Sequence, residues 1–368
     1  MTAQTTSVRS DNPSATARFA GLDGLRALAV LMVVSHNFGP TPGLSKLGRL
    51  GWFRAGYVGV TLFFVLSGFL ISQRLIAAFT SHGSVSFSRF WKRRARRLLP
   101  ALGLCLTLLV ANNMRTHVSP SMTFRAFAAA VFYVFNLVGI HRSPASPLGG
   151  TGWGPLWSLS VEEQFYLLWP IPLIWAWRRL GQRKTFAAVL ALGCASSVWT
   201  VALWLRGASF NRLYLATDTR SQSLFIGAAI AVAWQGWPWL QQSTARYARV
   251  LAPACFVLLG LGMFGSGANP AGSPGWLLGP GLAFVTVLCA VIVVTATKIA
   301  PTALISRLLN ARGTVAIGQR SYGIYLFHSV CAAYVGHQRG GWFLALLATF
   351  ALSFASYQLI EQPLLRSA

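Results

Sequence analysis

Acidic side chains are nearly missing from this sequence. Its 368 residues include 6 Asp and Glu against 31 Lys and Arg, and the six are Asp11, Asp23, Glu162, Glu163, Asp218 and Glu361. Charged residues make up 10% of the chain, against the roughly 25% usual in soluble domains. So little charge cannot cover the surface of a soluble protein this size, which excludes a water-soluble enzyme of one or two domains. Cysteine is scarce too. Cys105, Cys194, Cys255, Cys289 and Cys331 all stand in apolar segments, with no C-x-x-C pair. This excludes a disulfide framework and a thiolate metal site, and leaves five buried small hydrophobes as the expectation. What remains, 54% hydrophobic and 13% aromatic residues, describes an integral membrane protein.

The formal net charge of +25 would suggest nucleic acid in a soluble protein. Here the basic residues fall in short breaks between apolar runs and carry no nucleic-acid-reading fold, so they read as topology signals and lipid-headgroup contacts. Met1 to Ala20 is polar and rich in Ser, Thr and Ala. It reads as a disordered cytoplasmic tail without a cleavable signal peptide, ahead of a single membrane domain over 21–368.

Eleven apolar runs are long enough to be candidate crossings of a hydrocarbon layer roughly 30 Å thick. They lie near 22–38, 56–77, 98–112, 124–140, 161–177, 185–205, 220–236, 249–266, 276–297, 313–336 and 341–360. The cluster Arg89, Lys92, Arg93, Arg94, Arg96, Arg97 and the cluster Arg178, Arg179, Arg183, Lys184 should both be cytoplasmic. An even number of crossings must separate them, yet three runs do. The weakest is 124–140, which opens with Phe124-Arg125 and contains Asn136. The expectation is an all-α polytopic bundle of about ten crossings, with 124–140 re-entrant or interfacial and both termini cytoplasmic. The stretch 265–275 is an outer loop in this scheme.

Ionisable residues inside such runs are costly and point to function. Arg26 lies near the inner end of the first run, with Asp23 as its partner. His36 follows ten residues later, about 15 Å along a helix; a neutral imidazole there suits a general base. Ser67-Gly68 is a small pair in a bulky segment, most simply a close helix contact. Arg94 and Arg97 stand three apart and face one way on a helical turn, a spacing that grips a diphosphate or 3′-phosphate. In Trp157–Pro170, Ser160 and Glu163 have capping-box spacing, which leaves Glu162 free for another role, on one face with Tyr166. Ser321–His328 places Tyr325 and His328 as neighbours deep in a later run. No grouping of His and acids has metal-ligand spacing, so no metal is expected.

Together these landmarks resemble the acyltransferase 3 family of bacterial membrane O-acyltransferases, over essentially the whole chain. They are Asp23-Gly-Leu-Arg26 with a downstream His, Phe63–Phe69, Arg97-Leu-Leu-Pro100, Trp157–Pro170, Asp218-Thr-Arg220 before Leu224–Gly227, Ser321–His328 and Ile360-Glu-Gln-Pro363. The family's usual Arg-to-His spacing is eleven; here it is ten. That leaves the two side chains about 80° apart on a regular helix, unless a π-bulge intervenes.

The resemblance implies acyl transfer to a hydroxyl, usually from acetyl-CoA, at the bacterial inner membrane. Acceptors in the family are surface polysaccharides and other glycoconjugates, or macrolide-type small molecules. In those terms Arg94 and Arg97, with Arg26, hold the coenzyme at the cytoplasmic face. His36 deprotonates the acceptor or carries the acyl group itself, and Glu162 orients an imidazole. Ser67, Tyr166, Asp23, Asp218, Arg220, Tyr325 and His328 support substrate or structure. No permanently bound cofactor is implied. No esterase-like domain follows, so a second transfer step is expected to need a separate partner. The charge pattern puts His36 and Glu162 toward the outside and Arg94 and Arg97 inside. The rival from another class is a secondary transporter, which buried His, Glu and Arg would also suit, but repeat symmetry and paired broken helices are missing.

Overall fold

The computed structural model describes residues 21–38, 56–140, 151–265, 275–300, 302–335 and 341–366. The tail 1–20 and the outer-loop residues 266–274 lie outside them. All regular structure among the described residues is helical. The order is α1 Leu22–Phe38, α2 Gly56–His82, α3 Phe87–Arg115, α4 Pro120–Val131, α5 Phe135–Ile140, α6 Leu156–Leu168 and α7 Pro170–Leu205. Then come α8 Phe210–Leu215, α9 Thr217–Gly236, α10 Pro238–Gly265, α11 Pro280–Ala296, α12 Leu304–Leu309, α13 Arg312–Gln319, α14 Ser321–Val335, α15 Gly341–Ser356 and α16 Gln362–Arg366.

Among the described residues, four helical stretches are long and apolar enough to cross a bilayer: α2, α3, α7 and the continuous stretch Gly341–Leu364. Several of the others expected to cross are shorter or carry polar residues. The 17 residues of α1 span about 26 Å at 1.5 Å per residue, and α14 has 15. Helix α9 carries Asp218, Arg220 and Gln222 in its first turns. The chain is a helical membrane protein.

The run 124–140 is divided rather than continuous. Helix α4 stops at Val131, α5 starts at Phe135, and Tyr133 between them takes the left-handed φ of 55°. A polar network replaces the missing ladder bonds. Gln164 Nε2 donates to the Tyr133 carbonyl at 2.7 Å and to Asn136 Oδ1 at 3.0 Å, and Asn136 Nδ2 donates to Thr217 Oγ1 at 3.0 Å. At 12 and 6 residues, neither piece alone reaches across 30 Å of hydrocarbon.

The Arg178 cluster sits at a turn inside α7, where Gly181 takes φ 72° and ψ 174°. Only glycine adopts that conformation without strain, and the four basic side chains around it are exposed. Upstream, Trp169 keeps helical dihedrals between α6 and α7. Pro170 has no N–H for the Tyr166 carbonyl, and Trp91 Nε1 donates to that carbonyl instead, at 3.1 Å.

The bundle is built on α2, which is packed on α1, α9 and α11. Helix α9 is in turn clasped by α7, and α14 lies against α1, α3 and α15. One apolar cluster fills the space among α2, α3, α6, α9 and α14; a second fills that among α1, α2, α9 and α11. Four cysteines are buried as expected, but Cys194 is exposed. Helix α7 packs on one side only, and the apolar residues of its other face, Cys194 among them, point outward.

Candidate functional site

Helix α1 is regular from Leu22 to Phe38, with no π-bulge. Arg26 and His36 therefore lie at opposite ends of the helix and on different faces. Arg26 Nη1 meets Asp23 Oδ1 at 3.5 Å. His36 packs its ring 5.1 Å from that of Tyr57, against Gly56. A Cβ on Gly56 would stand 2.6 Å from the imidazole, so glycine is what lets α2 begin against that ring.

At the Arg26 end of α1 the bundle holds a cavity of about 100 Å³. Five helices meet there: α1 brings Arg26, α2 Ser67, α3 Arg94 and Arg97, α6 Glu162 and Tyr166, and α14 Tyr325. These seven side chains had been singled out from the sequence, and the fold brings them to one place. Arg94 and Arg97 share a face as their spacing predicts.

Glu162 is the polar hub. Its Oε1 accepts from the Tyr166 hydroxyl at 2.5 Å and from the Ser67 hydroxyl. Ser158, one turn earlier, also lines the cavity and shares a hydrogen bond with the Tyr325 hydroxyl. Ser158, Glu162 and Tyr166 are spaced four apart, so their common face was legible, although Ser158 was not chosen.

Three expectations need correction here. The capping box does not form. Helix α6 begins at Leu156, so Ser160 is already inside it, buried, donating to the Leu156 carbonyl and accepting from the Phe135 N–H at 3.2 Å. Glu163 instead takes Arg94 as a two-pronged partner, at 3.1 Å from Nε and 2.6 Å from Nη2. The same guanidinium lies over the Tyr166 ring, 3.1 Å from its centroid. Second, the charge pattern set Glu162 apart from Arg94 and Arg97, whereas all three line one cavity. Third, Glu162 holds two hydroxyls rather than an imidazole, and neither His36 nor His328 lines the cavity.

With Arg94 neutralised by Glu163 and Arg26 beside Asp23, Arg97 is the cavity's least compensated cation. No carboxylate lies within ion-pair distance of it among the described residues. Its acidic neighbour is Glu361, buried in a π-helical turn at Tyr357–Glu361. Glu361 was marked only as part of a landmark. Its approach to Arg97 joins positions 264 residues apart and has no local signal. The other cationic face of α3, with Arg89, Lys92, Arg93 and Arg96, lines a separate open groove.

The remaining candidates lie elsewhere. Asp218 is held by Arg212, at 2.8 Å from Nη1 and 2.5 Å from Nη2, and by Trp199 Nε1 at 2.8 Å. It is part of a half-exposed ion pair away from the cavity. Arg220 is fully buried. So is His328, whose Nδ1 is bonded to the Tyr325 carbonyl at 2.6 Å.

The acyltransferase 3 profile, described as an acyltransferase domain, matches residues 19–358. The chain is 31% identical over 366 residues to the peptidoglycan O-acetyltransferase OatA of Listeria monocytogenes, covering 93% of this chain and 55% of that protein. It is 32% identical over 371 residues to the putative peptidoglycan O-acetyltransferase YrhL of Bacillus subtilis, covering 94% and 54%. It is 27% identical over 363 residues to the O-acetyltransferase OatA of Staphylococcus aureus, covering 94% and 57%. The chain thus spans about half the length of these curated relatives. No solved structure matches it.

Proposed function

Because this chain belongs to the acyltransferase 3 family, we propose that it is a bacterial inner-membrane O-acetyltransferase. In this reading it moves an acetyl group from acetyl-CoA to a hydroxyl of a cell-surface carbohydrate. A glycan of the peptidoglycan type is the acceptor the named relatives favour. The observation that carries the proposal is the convergence of Arg26, Arg94 and Arg97 with the Glu162–Ser67–Tyr166 set around one cavity. An anionic coenzyme needs cations at the mouth of its site, and a fixed wall of polar groups behind them holds the donor's position.

In this mechanism Arg97 and Arg26 meet the coenzyme phosphates, and Arg94 is fixed by Glu163 as the wall between them. Glu162 accepts from the Ser67 and Tyr166 hydroxyls and so holds both in the wall of the site. His36, at the far end of α1, is the base that takes the proton of the acceptor hydroxyl. Donor and acceptor then approach from opposite membrane faces. Ten crossings with cytoplasmic termini and a divided, non-crossing 124–140 segment give that arrangement.

The test is thioester consumption. Purified protein given labelled acetyl-CoA and peptidoglycan fragments should release free CoA and yield acetyl-protein or acetylated glycan. A secondary transporter would consume no thioester, and that result would refute the reading.

A further inference from the structure

Among the described residues Arg220 is a cation without a counter-ion. Its side chain is 0% exposed. Nη2 donates to Thr61 Oγ1 at 3.2 Å, while Nε and Nη1 have no hydrogen-bond partner among the described residues. No carboxylate lies within ion-pair distance of it among the described residues. The rings of Tyr214, Phe64 and Trp157 surround the guanidinium carbon, with centroids at 5.1, 5.6 and 5.7 Å. Ring faces offset part of the lost hydration, but a buried charge without a partner remains among the least favourable arrangements in a protein. Such a group persists when something other than folding requires it.

Its position indicates what that is. Phe64 lines the cavity, and so does Tyr325, a near neighbour of the guanidinium. On the opposite side Tyr57 is another neighbour, and Tyr57 carries the ring that faces His36. Aromatic contacts run without a gap from His36 through Tyr57, Tyr214 and Trp157 to Phe64. Arg220 flanks this path between the cavity and His36.

We propose that Arg220 stabilises the oxyanion of acyl transfer, its unpartnered Nε–H and Nη1–H receiving the acyl carbonyl oxygen. The inference rests on the acyl-transfer reading and adds a catalytic residue to it. The acceptor hydroxyl oxygen attacks the thioester carbonyl carbon as His36 takes its proton, and the carbonyl π pair moves onto oxygen. The oxyanion then collapses, the C–S bond breaks, and CoA leaves as a thiolate that recovers the proton from the imidazolium. Negative charge rests on the carbonyl oxygen only between these two events. A donor fixed among aromatic rings and shielded from water therefore stabilises the transition state more than the bound thioester. Donor affinity, set by the cavity arginines, is independent of it.

The experiment compares Arg220→Met and Arg220→Lys with the wild-type full chain in detergent. It uses labelled acetyl-CoA with soluble peptidoglycan fragments as acceptor. R220M should lower kcat by roughly 10²–10³-fold with the KM for acetyl-CoA within about twofold of wild type, and R220K should retain part of the activity. The midpoint of thermal unfolding should hold or rise in R220M, because an apolar chain replaces a buried unpaired charge. R220M turnover within about threefold of wild type overturns the inference. A lowered unfolding midpoint or failure to fold overturns it as well, by making Arg220 a structural pillar. If the wild type consumes no acetyl-CoA, the acyl-transfer reading itself falls and this inference goes with it.

Discussion

Replacing Gly68 with alanine should drive apart the two helices on which the bundle is built. Helices α2 and α9 meet backbone to backbone: a Cβ on Gly68 would stand 2.0 Å from the Leu224 carbonyl oxygen and 2.8 Å from its carbon. The opposing Gly227 is as tight, 2.2 Å from the Val65 carbonyl oxygen. Close carbon–oxygen contacts settle at about 3.3 Å, so one methyl group demands a separation of about 1.3 Å. The obstacle is backbone on both sides, and no rotamer change relieves it. Overpacking of this kind costs about 1–3 kcal/mol. The neighbouring residue is Ser67, whose hydroxyl reaches Glu162, and misplacing a reacting group by 1 Å can lower turnover about 10²-fold. Thermal unfolding in detergent and acetyl-CoA consumption should therefore both fall in G68A. Gly103→Ala in α3 is the matched control: its Cβ meets nothing within 4 Å, and losing a mid-helix glycine should stabilise by about 0.5–1 kcal/mol. If G68A unfolds and turns over like wild type, or shifts in the same direction as G103A, the close-contact argument is wrong.

Three further outcomes are expected. His36→Gln keeps much of the volume but no basicity at neutral pH, so transfer should drop by roughly 10²–10⁴-fold with membrane insertion intact; substantial residual activity would move suspicion to His328. The double change R94K/R97K should raise the half-saturating acetyl-CoA concentration about ten- to a hundred-fold, as expected for losing one charge-assisted hydrogen bond. R93K/R96K, on the other face of α3, should leave it unchanged, and equal effects would mean that only summed charge matters. A reporter fused near Ser146 should report the same side as one near Arg115; opposite sides would make 124–140 a crossing.

Seven side chains singled out from the sequence meet at one cavity, but their partners were less legible. Local spacing correctly grouped Glu162 with Tyr166, and Arg94 with Arg97, because helical periodicity is a property of a few consecutive residues. The same local logic misassigned Ser160 and Glu163. A capping-box pattern is indistinguishable from helix interior when the helix starts one turn earlier, and nothing near Glu163 announces Arg94, 69 positions away. Positive-inside counting assigns sides to loops but carries no information on depth, so Glu162 was set too far from the arginines. The break in 124–140 was detectable from Asn136, whereas its cause, a network with Gln164 and Thr217, spans three separate helices.

The π-helical turn at the end of α15 works as a counting device. Along that helix the buried small residues Ala345, Thr349 and Ser353 recur every fourth position, and Ser356 continues the inward face. One more regular turn would aim Ile360 at α3. The wider turn makes the step from Ser356 five residues, and Glu361 arrives there instead, accepting from the Ser356 hydroxyl at 3.4 Å. The acid beside Arg97 is thus specified by the number of residues before it as much as by its own identity. Leu359 is 76% exposed, and nearly any side chain fits there. Deleting Leu359 would make Glu361 the fourth residue after Ser356, so a turn of ordinary pitch would carry the same acid to Arg97, and the deletion should remove the wide turn while keeping the pair.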